Sequence, residues 1–226
     1  MTKIVTIQQA VMAEDEKYAF RVRQLMKEKG ILVLNVIGSP GCGKTTLLEE
    51  MAGKGDFSFA VIEGDLETSR DAERLASRGI NALQINTRGW CHLEAHVVEK
   101  ALESLNLGSP GPDSPDALFI ENVGNLVCPA EFDLGEDLKI AVSSTPEGAD
   151  KPLKYPLLFV QAGAVLLTKT DLLPHVRFDR EMFMKDVRSL NPKAPVFELD
   201  LTSGVGLDKW ISFVSEKIRE KRSHAG

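Results

Sequence analysis

The chain of 226 residues is short of several things that would place it in a specialised class. It has only three cysteines, Cys42, Cys91 and Cys128, an odd set too sparse for a disulfide framework, which leaves metal binding, chemistry or packing as their uses. Long apolar runs are missing too. The longest, Ile31 to Ile37, is interrupted by Asn35 and falls far short of the ~20 residues that cross a bilayer, so no membrane span is expected. The N-terminus has no basic stretch, apolar core and small-residue cleavage site, which makes the cytoplasm the expected compartment. Excess positive charge is also absent. With 27 Lys+Arg against 33 Asp+Glu the chain carries a net charge of −6, so nothing favours a nucleic-acid or acidic-membrane partner, and a polyphosphate would need a local site.

What is present is an ordinary globular balance, 43% hydrophobic with 6% aromatics, arranged as short β-branched runs separated by helix-like segments. Runs at 31–37, 57–62, 82–85, 117–120, 140–142, 164–167 and 196–199 read as strands. Helices are expected near 14–29, 44–52, 69–78, 92–105, 178–190 and 207–221. The alternation predicts an α/β fold, a doubly wound and mostly parallel sheet of about seven strands with helices on both faces. Residues 1–226 read as a single P-loop domain, with 1–30 as an N-terminal arm and helix. The proline-rich stretch 108–116 reads as a surface loop.

Directly after the first strand, Gly38-Ser-Pro-Gly-Cys-Gly-Lys44-Thr45 matches G-x-x-x-x-G-K-[ST] and opens a helix at Thr46. Gly38, Gly41 and Gly43 let successive N–H groups converge on one anion, Cys42 is a spacer, Lys44 reaches the β- and γ-phosphates, and the Thr45 hydroxyl suits Mg²⁺. Strand 164–167 runs into Thr168-Lys169-Thr170-Asp171, similar to the N-K-x-D guanine element of GTPases with Thr in place of Asn. Asp171 would accept both hydrogens of a guanine edge and face a missing partner on adenine, which favours GTP over ATP. Thr202, after the last strand, is placed to close over the base. Asp65 and Glu121 stand at strand ends, on the ligand-binding edge of such a sheet, and share the work of holding Mg²⁺ and orienting water, with Gly124 contacting the γ-phosphate. No Gln or Arg is identifiable as positioned for that phosphate, so slow hydrolysis is expected.

Cys91 and His92 are adjacent, and Cys128 follows the Glu121–Gly124 segment. Two thiolates and an imidazole suit Ni²⁺ or Zn²⁺, although the spacing is no standard zinc pattern. His92 and His96, four apart on the expected helix, form a second conceivable ligand pair.

Together Gly38–Thr46, Val61-Ile-Glu-Gly-Asp65, Cys91-His-Leu-Glu94, Ile120–Pro129 and Lys151-Pro-Leu-Lys-Tyr-Pro156 resemble the hydrogenase nickel-incorporation GTPase family, HypB, over most of residues 14–221. The resemblance implies a nucleotide-regulated, GTP-hydrolysing metallochaperone of the dimerising P-loop class, assisting nickel insertion into the large subunit of [NiFe]-hydrogenase together with the zinc-containing accessory protein HypA. It implies Cys91, His92 and Cys128 as ligands for nickel or zinc, Asp65 and Glu121 as switch acids, and a homodimer with the metal site near its interface, across which Lys151 or Lys154 could reach. The chain departs from many members of that family in having no C-x-x-C-G-C element in residues 1–37, so transfer should depend on the Cys91, His92 and Cys128 site. The related urease accessory GTPase family, UreG, uses a Cys-Pro-His motif that is not found here. A P-loop small-molecule kinase is the alternative from another class.

Overall fold

The computed structural model describes residues 7–65, 70–87, 89–105, 107 and 114–224, with side chains from residue 14 onward except those of Asp65 and Arg70. Seven strands, β1 (Leu32–Gly38), β2 (Phe59–Asp65), β3 (Asn81–Asn86), β4 (Ala117–Glu121), β5 (Leu138–Ser144), β6 (Ala162–Thr168) and β7 (Val196–Glu198), form one sheet in the order β3-β2-β4-β1-β5-β6-β7. Every pairing is parallel. Parallel neighbours need crossovers, and these carry α2 (Lys44–Met51), α3 (Arg70–Ser77), α4 (Ala95–Leu105), α5 (Cys128–Glu131), α6 (Lys151–Lys154), α7 (Pro156–Gln161) and α8 (Arg180–Leu190), while α1 (Ile7–Lys29) precedes β1 and α9 (Leu207–Ser223) follows β7.

All seven residues of β1 are buried, and their side chains alternate between the two faces. Leu32, Leu34 and Val36 join the core under α2 and α9, where Trp210 is fully buried and its indole N–H points at Met51 Sδ, 3.1 Å away. Val33 packs on the other side with Val22 and Met26 of α1 and with Val98 and Leu102 of α4. A third cluster joins Ile37 and Ala162, Val165 and Leu167 of β6 to Leu158, Phe159 and Phe183 on α7 and α8. Burial on both faces is what the unbroken aliphatic runs encode.

Three expectations change. The segment 151–161, whose start reads from sequence as a proline-bounded loop, holds two short helices, with Pro152 and Pro156 in their first turns, where a missing N–H costs nothing. The helix expected at 92–105 starts only at Ala95, because Asp15 of α1 caps it: its carboxylate accepts from the N–H groups of Ala95 and His96, each at 3.2 Å. His92 therefore lies outside that helix, and the helical pairing of His92 with His96 does not exist. The loop read at 108–116 lies mostly outside the described residues. Among the described residues no helix is long and apolar enough to cross a membrane.

Candidate functional site

The phosphate loop runs from the end of β1 to the start of α2. Gly41 and Gly43 have φ of 72° and 100°, values that only glycine adopts freely, and Gly43 caps α2. Gly38 is needed for space instead: a Cβ there would lie 2.6 Å from Cys42 Sγ and 2.7 Å from the Val142 carbonyl. Cys42 is fully buried in the core behind the loop, and desolvation pushes its thiol up to about 11, so it is an inert spacer. The Lys44 ammonium lies back over the loop, 3.3 Å from the carbonyls of Gly38 and Ser39.

A cleft of 380 Å³ opens in front of this loop, lined by Gly41, Gly43, Lys44, Thr45, Thr46, Glu121, Gly124 and Lys169 among others. Glu121 closes β4 and is 5% exposed; the Thr45 hydroxyl donates to its Oε1 at 2.8 Å. Its Oε2 is buried and has no hydrogen-bond partner among the described residues. Burial raises the Glu121 carboxyl to about 7, against the lowering effect of Lys44 and of the Thr45 bond. A bare carboxylate oxygen beside a threonine hydroxyl is a hard-oxygen pair that fits Mg²⁺. Asp65 ends β2 on the same sheet edge, with its side chain outside the described residues.

The cleft also contains groups that sequence reasoning passed over. Glu63 is buried in β2, directly beside Glu121 in register. Arg74 also lines the cleft, so an arginine does face the phosphate region, but its guanidinium is bound to Glu49 at 2.6 and 3.0 Å and to Asp71 at 2.9 Å.

At the other end of the cleft, Thr168 stands where the guanine element has Asn. Its hydroxyl donates to the Cys42 carbonyl at 2.6 Å, tying β6 to the phosphate loop. Lys169 has φ of 55°, and its carbonyl accepts from the Thr145 hydroxyl at 2.6 Å. Asp171 is exposed and opens outward in the turn 170–175, while Thr202 lies in a turn built on Asp200, which accepts from the Thr202 and Ser203 N–H groups. Neither lines the phosphate cleft itself.

The second half of the site lies on the other side of the Glu121–Cys128 segment. Cys91 Sγ is 2.8 Å from Cys128 Sγ and 3.5 Å from His92 Nδ1, so one ion could meet all three. The His92 ring stacks on Phe132, with centroids 3.8 Å apart, and its Nε2 is 3.8 Å from Glu94 Oε1. Burial lowers the imidazole's pKa, and the neighbouring Cys128 raises that of the Cys91 thiol. Such a ring stays neutral and ready to ligate, with its outer nitrogen steered by a carboxylate.

Two asparagines connect the halves. Asn122 follows Glu121 directly; its Oδ1 accepts from the N–H groups of Leu93, at 3.2 Å, and Val123, at 3.0 Å, while its amide donates to Asn35 of β1 at 3.2 Å. Asn125 donates to the Cys91 carbonyl at 3.4 Å. Between them Gly124 packs so closely on Pro40 that a Cβ would lie 2.7 Å from its Cγ and 2.9 Å from its nitrogen. In the single chain Lys151 lies on the Glu147 carbonyl at 2.8 Å, and the exposed Lys154 pairs with Asp150 at 2.5 Å.

Residues 32–198 match the model of the CobW/HypB/UreG nucleotide-binding domain. The hydrogenase maturation factor HypB of Azotobacter chroococcum is 45% identical over 219 residues, 96% of this chain and 70% of that protein. The hydrogenase/urease maturation factor HypB of Helicobacter pylori is 41% identical over 96% of this chain and 90% of its own length. The crystal structure of the Helicobacter pylori HypB in complex with nickel superposes with a TM-score of 0.88 at 41% identity, covering 92% of this chain and 97% of that one. The family match over residues 32–198 and identities of 41–45% across 96% of the chain show that the chain belongs to the CobW/HypB/UreG family and, within it, to the HypB hydrogenase maturation factors.

Proposed function

We propose that the chain is a GTP-hydrolysing metallochaperone that carries nickel on Cys91, His92 and Cys128 and releases it for insertion into [NiFe]-hydrogenase. The observation that carries this is the continuity of residues 121–128, with a carboxylate of the nucleotide cleft at one end, a metal-binding thiol at the other, and Asn122 and Asn125 bonded to the Cys91–Leu93 loop between them. Lys44, the phosphate-loop glycines and Gly124 hold the phosphates of GTP, and Thr45, Glu121 and Asp65 provide oxygens for Mg²⁺, which when bound neutralises charge on the β- and γ-phosphates. Lys169 and Asp171 read the guanine, with Thr202 closing over it. A γ-phosphate that shifts Gly124 against Pro40 alters the position of Cys128, and this is how nucleotide sets metal affinity. By linkage, nickel must change the preference for GTP over GDP by the same factor. Hydrolysis is slow in the isolated chain because the arginine of the cleft, Arg74, is committed to two carboxylates.

Trp90 and Val127, 56% and 51% exposed, flank the thiol pair, which suits a homodimer that covers this face. The delivery partners are the zinc-containing accessory protein HypA and the hydrogenase large subunit, in the cytoplasm. The Helicobacter relative's name adds urease as a second target. Titrating nickel into the metal-free chain with GDP and with a non-hydrolysable GTP analogue, following thiolate-to-nickel absorption, tests the reading. A signal that differs between nucleotides and vanishes in Cys128→Ser supports it; equal nickel affinity in both states overturns the coupling.

A further inference from the structure

Beside the thiol pair lies a second group of potential ligands that the nickel-carrier reading does not use. Asp15 of α1, Glu94 at the entrance to α4 and His96 in its first turn bring a carboxylate oxygen, a carboxylate oxygen and an imidazole nitrogen within 4.8 Å of one another. His96 Nδ1 is 3.0 Å from Glu94 Oε2 and 3.8 Å from Asp15 Oδ1. Bonds of ~2.1 Å from one first-row cation to neighbouring ligands place those ligands about 3.0–3.4 Å apart, so the group needs only a small contraction. The three side chains line a hollow of 240 Å³ with Glu14 and Tyr18, room enough for solvent to complete a coordination sphere.

Charge makes the same point independently. Asp15 and Glu94 have side chains only 9% and 13% exposed, and they put two carboxylates in a half-closed hollow. Apart from His96 no basic side chain lines it among the described residues, and Arg21, over the Tyr18 ring, is committed to Glu99 at 2.6 Å. Capping α4 needs only Asp15, and each of its oxygens keeps a lone pair after accepting an N–H. Neither Glu94 nor His96 is required for that cap, yet both face the same hollow.

We infer that Asp15, Glu94 and His96 form a second divalent-cation site, for a first-row transition ion that accepts oxygen and imidazole ligands, such as Zn²⁺ or Ni²⁺. Glu94 is its link to the thiolate site: one carboxylate oxygen faces His92 Nε2 and the other faces His96 Nδ1. The second site does not depend on the nature of the cargo at the first.

The test uses the full chain as the Cys91→Ser/Cys128→Ser double variant, which removes the soft ligands, with zinc measured by competition against a chromophoric chelator. About one tightly held zinc per chain is expected, falling to none when His96→Gln is added. No zinc in the double variant, or zinc that persists after His96→Gln, overturns the site. A second measurement guards against misfolding: in the otherwise unaltered chain loaded with Co²⁺, His96→Gln should remove about one equivalent while the thiolate charge-transfer band stays. Unchanged cobalt stoichiometry would also sink the proposal.

Discussion

Replacing Glu121 by Gln isolates the cost of keeping an acid in the nucleotide cleft. Burial raises this carboxyl from 4.5 to about 7 in the folded chain. Below pH 4.5 the group is protonated whether the chain is folded or not. Between pH 4.5 and 7 the folded state holds a proton that the unfolded state has released, so stability falls as the pH rises, and above 7 the folded chain carries the full cost of a buried charge. The shift corresponds to about 3 kcal/mol. The assay is urea denaturation of the metal-free, nucleotide-free chain at pH 5 and pH 8, for the natural chain and Glu121→Gln. The natural chain should lose about 2.5 kcal/mol more than the variant across that interval, the rest of the shift having been lost below pH 5. The variant's amide cannot ionise, and it still offers an oxygen to the Thr45 hydroxyl. Adding Mg²⁺ and nucleotide at pH 8 should restore the natural chain far more than the variant, because only a carboxylate gains by meeting the ion. Equal pH slopes for the two proteins would refute the reasoning.

Gly124→Ala forces a Cβ to within 2.7 Å of Pro40 and must displace the phosphate loop; nucleotide affinity measured by calorimetry should fall roughly tenfold or more. Thr168→Val keeps the shape but leaves the Cys42 carbonyl without its donor, at a cost of about 1–3 kcal/mol in chemical denaturation. Trp210→Ala empties the core beneath α9 and should lower stability by roughly 3–5 kcal/mol by the same method, a fold-level control. Nickel affinity, read from thiolate absorption, should rise from pH 6 to pH 8, because the Cys91 thiol, raised by its neighbour Cys128, must release its proton to bind; a flat profile would exclude thiolate ligation.

The parts of the site that sequence reading recovered are those written contiguously. The phosphate loop needs its glycines and lysine at fixed offsets along a few residues, and the central strands β1, β4, β5 and β6 stood out because burial on both faces demands aliphatic runs, while the partly exposed edge strands β3 and β7 showed as shorter runs between helices. What it missed depends on contacts between distant segments. Asp15 caps α4 from 80 residues away, so the start of that helix, and with it the place of His92, could not be read from the local pattern. Asn122 and Asn125 look like ordinary loop residues until Leu93 and Cys91 are brought against them. Arg74 is a surface arginine on an amphipathic helix until α3 is packed beside α2, where it meets Glu49 and the cleft. Helices α6 and α7 are too short to show a period at all.

The Thr168 hydroxyl has a wider consequence. An asparagine at that position could offer two amide hydrogens and a carbonyl, and so could brace several loops at once. Threonine has one hydrogen to give, and the nearer of its two acceptors is the Cys42 carbonyl at 2.6 Å, with the Ser143 carbonyl at 3.2 Å. Its branched Cβ, in a strand, leaves the side chain almost no rotational play. The β6 end of the cleft is thus pinned to the phosphate loop through a stiff joint. Under the proposed coupling, that half of the cleft is the fixed jaw, and the 121–128 segment opposite, which ends at the proposed ligand Cys128, is the jaw that would travel.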